Sequence, residues 1–398
     1  MSYGSHRKID IRRFGGINQS EWYGIEINQA IADPEHCITT IGRPDLHTTL
    51  PVHAQMVPAL INDDGTVNKY LKLSDFRYDV DDNAVSLDGS QGQVMIKIPA
   101  YYEKILLDGD KIKIMWSTKP LIGFTYKPAW WLGAYLAYID PGSGKLTSRT
   151  GVMATTNKPR DEFRTAAELR GSNWCLHNYD VWRFLNHAVW IKYKTLNSQS
   201  SLALGDGATN ASSTDWSNYN GYYPVVQNGL KLSADDVEVD FSVENFVGGT
   251  GTLESQAACF MGIEHVFGHI WQYIDGLNLH NSIANGARAF ICHNPANFAD
   301  DTETNYALAG NIAEIDGYIK KVLSSGPLPK SMGSSSSTYF SDYHYSSYAY
   351  APDVGWRGSL VGGRLNYGSA AGLASSSFTS AASRRSAIVG SRLCLRVA

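Results

Sequence analysis

The most constraining stretch of this sequence is residues 342–398, where two kinds of residue alternate. One kind is a frame of glycines and short apolar pairs. It comprises Gly355-Trp356-Arg357, Leu360-Val361-Gly362-Gly363, Gly368, Ala371-Gly372-Leu373 and Val389-Gly390-Ser391-Arg392-Leu393. The other kind is small, polar or aromatic: Arg364, Asn366, Tyr367, Ser375, Ser376, Ser377, Thr379, Arg384, Arg385 and Ser386. Glycine permits backbone turns that other residues resist. Pairs such as Leu360-Val361 and Ile388-Val389 suit brief buried strands. The polar positions then fall on exposed loops, where binding residues concentrate.

A chain of 398 residues exceeds one ordinary domain, so two or three are expected. With 43% hydrophobic residues it can bury a sizeable core. Its 23 Tyr and 10 Trp offer the stiff, amphipathic contact area that recognition surfaces use. A formal net charge of -4 with no basic run argues against nucleic-acid binding. The five cysteines, Cys37, Cys175, Cys259, Cys292 and Cys394, show neither a CxxC pair nor zinc spacing. They read as free buried thiols made in a reducing compartment. The first residues, MSYGSHRKIDIRRFGG, lack the apolar region of a secretory signal. No apolar run approaches a membrane span. Action outside the cell would therefore require release by lysis or carriage on a particle.

Residues 1–99 read as a smaller β-rich module. Ile9-Asp10-Ile11, Trp22 to Ile27 and Val94 to Ile98 alternate as strands do, and Asn62-Asp63-Asp64-Gly65 and Asp81-Asp82-Asn83 are turn clusters. The Asp clusters lack the spaced oxygen ligands of a calcium loop. Beyond Ala100, Asp108-Gly109-Asp110 marks a hairpin. A short helix is expected over 160–170, with Asp161-Glu162 at its start and Gly171 as its stop. A longer one runs from 179 to about 195. Residues 205–220 read as a long polar loop and 230–247 as a hairpin. Strands follow near 289–292 and 318–323, and 331–337 is Ser/Gly-rich and expected to be mobile.

Chemistry of enzymatic type is thin. His265 and His269 have helical spacing, but Val266 stands where a zinc HExxH motif needs Glu. There is no GxSxG elbow and no Walker loop. Scattered core or surface histidines account for the rest.

The C-terminal frame resembles the variable region of C-type-lectin-fold proteins diversified by retroelements, phage receptor-binding tail proteins among them. The upstream match is Tyr135-Leu136-Ala137, Arg170-Gly171-Ser172-Asn173-Trp174, Gly262-Ile263-Glu264 and Gly268-His269-Ile270-Trp271-Gln272-Tyr273-Ile274-Asp275-Gly276. These pieces resemble the formylglycine-generating-enzyme branch of that fold, which often reads Gly-Asn-Val-Trp-Glu-Trp at the position of Gly268 to Tyr273. Gly42-Arg43-Pro44 and His47 to Pro51 are similar, more weakly, to the N-terminal part of the same proteins.

The resemblance implies an α+β chain: a lectin-type domain over 100–398, with a variable ligand-binding region at 338–393, preceded by an attachment or oligomerisation domain at 1–99. It implies mutation at template adenines, which turns Asn codons into residues other than Lys, Glu, Gln, Met and Trp. None of these occurs from Arg364 to Ser391. It also implies a near-copy of that coding segment and a reverse-transcriptase gene close by. The ligand contacts it implies are Tyr343, Tyr345, Tyr348, Arg364, Asn366, Tyr367, Ser375, Ser377, Thr379, Arg384, Arg385, Ser386 and Ala387, with Tyr350 beside them and Trp356 in the frame beneath. The ligand would be a host-cell-surface protein or glycan. Other tail or baseplate proteins, or sister subunits of a homotrimer, would be the partners, with no membrane insertion. The location would be the virion, or alternatively a bacterial surface. No cofactor is expected. Calcium is compatible with the superfamily but has no assignable ligands here. The branch's oxidase chemistry needs two neighbouring thiols for copper(I), and only Cys394 lies in the C-terminal region. A virion or pilus subunit of fixed structure is the alternative reading.

Overall fold

Alternation places Tyr23, Ile25 and Ile27 on the buried face of the strand Tyr23–Asn28. In the computed structural model, which describes residues 21–202, 224–244, 252–346 and 354–397, this strand sits in a five-stranded antiparallel sheet. The order is Ile38–Gly42, Tyr23–Asn28, Lys111–Ser117, Tyr101–Asp108 and Thr125–Lys127. Asp108 pairs with Lys111 across the expected hairpin turn.

A second, six-stranded sheet runs Trp174–Leu176, Leu393–Arg396, Trp130–Gly133, Gln93–Ile98, Pro58–Ile61 and Val67–Tyr70. This order corrects the expected boundary at 99. The strand Gln93–Ile98 pairs residue for residue with Trp130–Gly133. One core cluster also joins Ile25 and Ile96 to Leu132, Phe184 and Cys394. Residues before and after 99 therefore share sheets and core.

The two expected helices form at Arg160–Glu168 and Tyr179–Tyr193. Asn178 caps the longer one, accepting from the Val181 amide at 3.2 Å. That helix is buried nearly all round and packs the flat of Phe184 on Trp116, with centroids 5.1 Å apart. Its Arg183 and His187 reach the buried Glu103 at 2.7 and 3.0 Å. Burial alone would raise the Glu103 carboxyl, but Arg183 and His187 outweigh it and hold it well below the usual range. Helices are few and strands dominate, so the described chain is mostly β rather than an even α+β mixture.

The third sheet has nine strands among the described residues. Along it lie Ala307–Asn311, Gly286–Ile291, Trp271–Ser282, Gly355–Val361, Ser376–Phe378, Tyr343–Ser346, Gly317–Val322 and Pro329–Met332, with Val389–Gly390 beside Trp271. One expectation fails nearby. The hairpin at 230–247 is instead a pairing of Val239–Glu244 with Thr252–Ala257, and 230–236 is irregular chain packed around Glu264. The Ser-rich 331–337 segment begins inside the strand Pro329–Met332 and continues as a turn closed by Ser334 and Ser335 bonds to Thr338. Ile9-Asp10-Ile11 and the whole of the 205–220 loop lie outside the described residues.

Arg392 ties these pieces together. It is 1% exposed, yet its guanidinium donates to the carbonyls of Gly133, Ala134, Glu264 and His265 at 2.7–3.1 Å. Its Nε reaches Gln272 Oε1 at 3.2 Å. Only a planar fork of donors satisfies four carbonyls from two chain segments at once. Replacing Arg392 with Met leaves those carbonyls unsatisfied, at about 1–3 kcal/mol each before relaxation. The expected outcome is a stability loss of about 3–5 kcal/mol in urea unfolding, with Arg392→Lys close to Met; a Lys variant of native stability would disprove the fork. A fragment starting at Ala100 should be insoluble or unfolded, because it strips the partner from Trp130–Gly133. A soluble fragment with a cooperative melt would restore the boundary at 99.

Candidate ligand-binding site

Strand registers decide which residues of the C-terminal region meet. Side chains directly opposite across a ladder share a face. Tyr343 lies opposite Tyr318, Tyr345 opposite Ser377, Ser377 opposite Leu360, and Leu360 opposite Tyr273. One face of the sheet therefore carries a row running Tyr318–Tyr343–Tyr345–Ser377–Leu360–Tyr273. The alternate residues, His344, Ser346, Ser376 and Phe378, turn inward and are buried.

The row is aromatic at close range. Centroids are 5.0 Å apart for Tyr318–Tyr343, 4.6 Å for Tyr343–Tyr345 and 5.2 Å for Tyr345–Tyr367. Trp271 meets Tyr345 and Tyr367 edge-on at 6.1 and 5.9 Å. Such pairs add about 0.5–1.5 kcal/mol each beyond area burial, so the rings hold one another in place. Between them opens a small cleft of about 80 Å3. Its apolar floor is Trp271, Leu360, Ile388 and Val389; Tyr345 and Tyr367 wall it; Ser377, Thr379 and Arg384 supply the polar rim.

The expected contacts fall into distinct groups. Tyr343, Tyr345 and Tyr367 are half-buried in the row, and Thr379 and Ser377 share a hydroxyl contact of 3.1 Å at the rim. Arg384 is exposed, and its Nη1 donates to Ser380 Oγ at 2.6 Å. Tyr273 supports that loop by donating to the Arg384 carbonyl at 2.9 Å. Asn366 is half-buried in the turn that carries Tyr367.

Other positions depart from expectation. Ser375 is fully buried, donating to the Ala370 carbonyl at 2.8 Å and accepting from the Tyr343 amide at 3.2 Å, so it is frame and not contact. Arg364 is 9% exposed and lies 4.5 Å over the Tyr367 ring; it supports that ring from beneath. Arg385 is exposed but turned to Glu162 on the short helix, away from the cleft. Ser386 and Ala387 are half-buried, and the Ser386 carbonyl accepts from the Asn157 amide at 2.9 Å. Trp356 packs on His280 and Phe290, at the other end of its strand from the cleft. Tyr348 and Tyr350 lie outside the described residues. Trp271 and Tyr318, which are not among the expected contacts, also stand in the row. The period-two pairing of Trp271 with Tyr273 was a usable signal for the first, whereas Tyr318 joins only through its register with Tyr343.

Two frame glycines are required by shape. Gly363 has φ +75°, and a Cβ there would stand 2.8 Å from Ala371. A Cβ on Gly372 would run into the Asp342 carboxylate. Asp342 itself is buried immediately before Tyr343, accepting from the Ala374 amide at 2.8 Å and the Ser198 hydroxyl at 3.0 Å. Burial without a cation pushes its carboxyl up to about 7, although those two hydrogen bonds pull it down.

Elsewhere, all five cysteines are free and buried. No local sequence pattern signals that Cys175 and Cys394 stand opposite each other across paired strands. Burial, then the Cys394 neighbour, pushes the Cys175 thiol well above its usual range, which disfavours the thiolate that metal binding needs. His265 and His269 are not helical: they lie in a turn segment, buried, with rings 4.2 Å apart. Burial holds His269 neutral, its titration lowered to about 3. Among the described residues no three His, Cys, Asp or Glu side chains converge as a metal centre requires, so calcium gains no assigned ligands.

No family model and no curated protein matches the chain. Two solved structures are similar to it. The Major Tropism Determinant U1 variant is 13% identical with a TM-score of 0.30, covering 86% of this chain and 72% of its own. The M1 variant is 12% identical with a TM-score of 0.31 and the same coverage.

The Asp342 linkage has a definite sign. A carboxyl raised in the folded state stabilises below its unfolded value, near 4, and that stability is lost as pH rises towards 7. The melting temperature should fall between pH 5 and 7.5, and Asp342→Asn should flatten part of that slope. Glu264, buried and likewise pushed up to about 7, adds to the wild-type slope with the same sign. Parallel slopes for wild type and Asp342→Asn would show that Asp342 does not titrate in this range.

Proposed function

We propose that this protein is a receptor-binding adhesin that recognises a host-cell-surface ligand through the aromatic row and its cleft. The observation that carries the proposal is the convergence of Tyr345, Tyr367, Ser377, Thr379 and Arg384 around the cleft, with Tyr343 packed on Tyr345. Rigid aromatic rings with a guanidinium at the rim are the residue types that dominate binding hot spots. The rings lose little conformational freedom on binding because they already pack on one another. Arg384 would pair with a carboxylate or phosphate of the ligand. The lectin-type frame, the retroelement origin of the variable positions and a place on a phage tail belong to this same reading.

Attachment to tail or baseplate proteins, or to sister subunits of a trimer, would use another surface. Ile122 is 96% exposed, and Leu107 and Tyr126 are each 55% exposed, all on or beside the five-stranded sheet. Apolar exposure of that kind suits a partner interface. Multivalent presentation would raise avidity without new contacts.

The decisive experiment uses Tyr367→Ser, Thr379→Ala and Arg384→Ala together. Attachment to host cells should fall at least tenfold, about 1.4 kcal/mol or more per site, while the protein still unfolds cooperatively, at a temperature lowered by the lost ring contacts of Tyr367. Unchanged attachment would remove the site from this face. Disturbed particle assembly with unchanged attachment would favour the fixed structural subunit.

A further inference from the structure

We propose that a second binding site, for a neutral oligosaccharide, lies in the cleft bounded by the turns at 62–63, 88–92 and 140–145. It belongs to the six-stranded sheet and shares no residue with the aromatic row. The cleft holds about 560 Å3. A second cleft of about 420 Å3 adjoins it through Asp63 and Arg170, which line both. Together they offer room for more than one sugar ring.

Gln93 is the first observation. It is 4% exposed and fixed by its Oε1, which accepts from the Ser148 amide at 2.9 Å. Its Nε2 has no hydrogen-bond partner among the described residues, and it lines the cleft beside Gly89. A Cβ on Gly89 would stand 4.0 Å from that nitrogen, so the glycine keeps the approach to it open. That nitrogen is reached from the open cleft, so an acceptor on a ligand would take the place of water there.

Charge balance is the second observation, and it selects the ligand class. Asp63, Asp88 and Asp140 are matched by Lys145, Arg149 and Arg170. A phosphate or sulfate would meet all the carboxylates, and an ammonium would meet all the cations. No apolar side chain lines the cleft, so an aliphatic or aromatic group would find no surface to bury against. A ring bearing several hydroxyls, each both donor and acceptor, matches such a lining. Arg149 and Asp140 illustrate the fit: Nη2 and Oδ1 stand 3.7 Å apart, too far for a hydrogen bond but close enough to share one hydroxyl.

Saturation-transfer NMR on the full chain tests this with maltotriose, mannotriose and galactotriose. Transfer is expected from at least one, lost in Arg149→Ala and kept in the Tyr367→Ser/Thr379→Ala/Arg384→Ala variant. No transfer from any of the three overturns the proposal, as does transfer that survives in a folded Arg149→Ala protein. Transfer lost only in the aromatic-row variant also overturns it, by moving the sugar to that row. Should Arg149→Ala fail to fold, Ser143→Trp, which fills the cleft from an exposed position, decides by the same criterion.

Discussion

The fold depends on one buried cation, Arg392. It stands in the chain between Val389–Gly390, which joins the nine-stranded sheet, and Leu393–Arg396, which joins the six-stranded one. A charge taken from water without a carboxylate bonded to it is costly. Burial accordingly lowers its pKa to about 10. What compensates is a set of carbonyl dipoles that the surrounding segments would otherwise leave unsatisfied. The bonds work in both directions: the carbonyls keep the charge buried, and the charge fixes the end of Trp130–Gly133 against the Glu264-His265 turn. Trp271 begins its strand just beyond that turn. The cleft floor is therefore positioned by a residue that never reaches the surface.

A second set of charges fixes the short helix. Arg160 and Arg164 converge on Asp275 and Asp300, with Arg164 Nε 2.9 Å and Arg160 Nε 3.6 Å from Asp275 carboxylate oxygens. Asp275 is fully buried and lies in the strand Trp271–Ser282. The helix end thus anchors to the same strand that carries Trp271. Arg385 then pairs with Glu162 on that helix, and the loop is tied near its two ends by the Ser380 carbonyl, which accepts from the Gly358 amide at 2.8 Å, and the Ser386 carbonyl, which accepts from the Asn157 amide at 2.9 Å. The cleft rim is a short span between two anchored points, so its geometry depends little on the side chains it carries.

Local patterns in the sequence were legible where the physics is local. Alternation located Tyr23–Asn28 and Gln93–Ile98; the Asp161-Glu162 start and the apolar period located both helices; Asp108-Gly109-Asp110 located its hairpin. The frame glycines were legible too, because only shape explains Gly363 and Gly372. What was not legible depends on pairings distant along the chain. The composition shift near 99 suggested a domain edge, but Leu393–Arg396 inserts between Trp130–Gly133 and Trp174–Leu176 and completes a sheet that begins with earlier strands. The facing of Cys175 and Cys394 and the recruitment of Tyr318 follow from registers that no local pattern encodes.

Burial also divides the expected contact residues in a way that composition could not. Ser375, Ser377 and Thr379 look alike as a polar Ser/Thr run. In the sheet Ser375 is sealed beneath Tyr343, Ser377 reaches the rim but is only 6% exposed opposite Leu360, and Thr379 stands further out on the rim. Exposed loop positions tolerate substitution, whereas a buried hydroxyl that satisfies a backbone amide does not. Variation compatible with this frame is therefore open at Thr379, Arg384 and Tyr367 and restricted to small side chains at Ser377. It is closed at Ser375 and, because its guanidinium lies under Tyr367, costly at Arg364. A surface that changes its ligand while keeping its fold would change first at the rim and the aromatic wall, and last along the strand Ser376–Phe378.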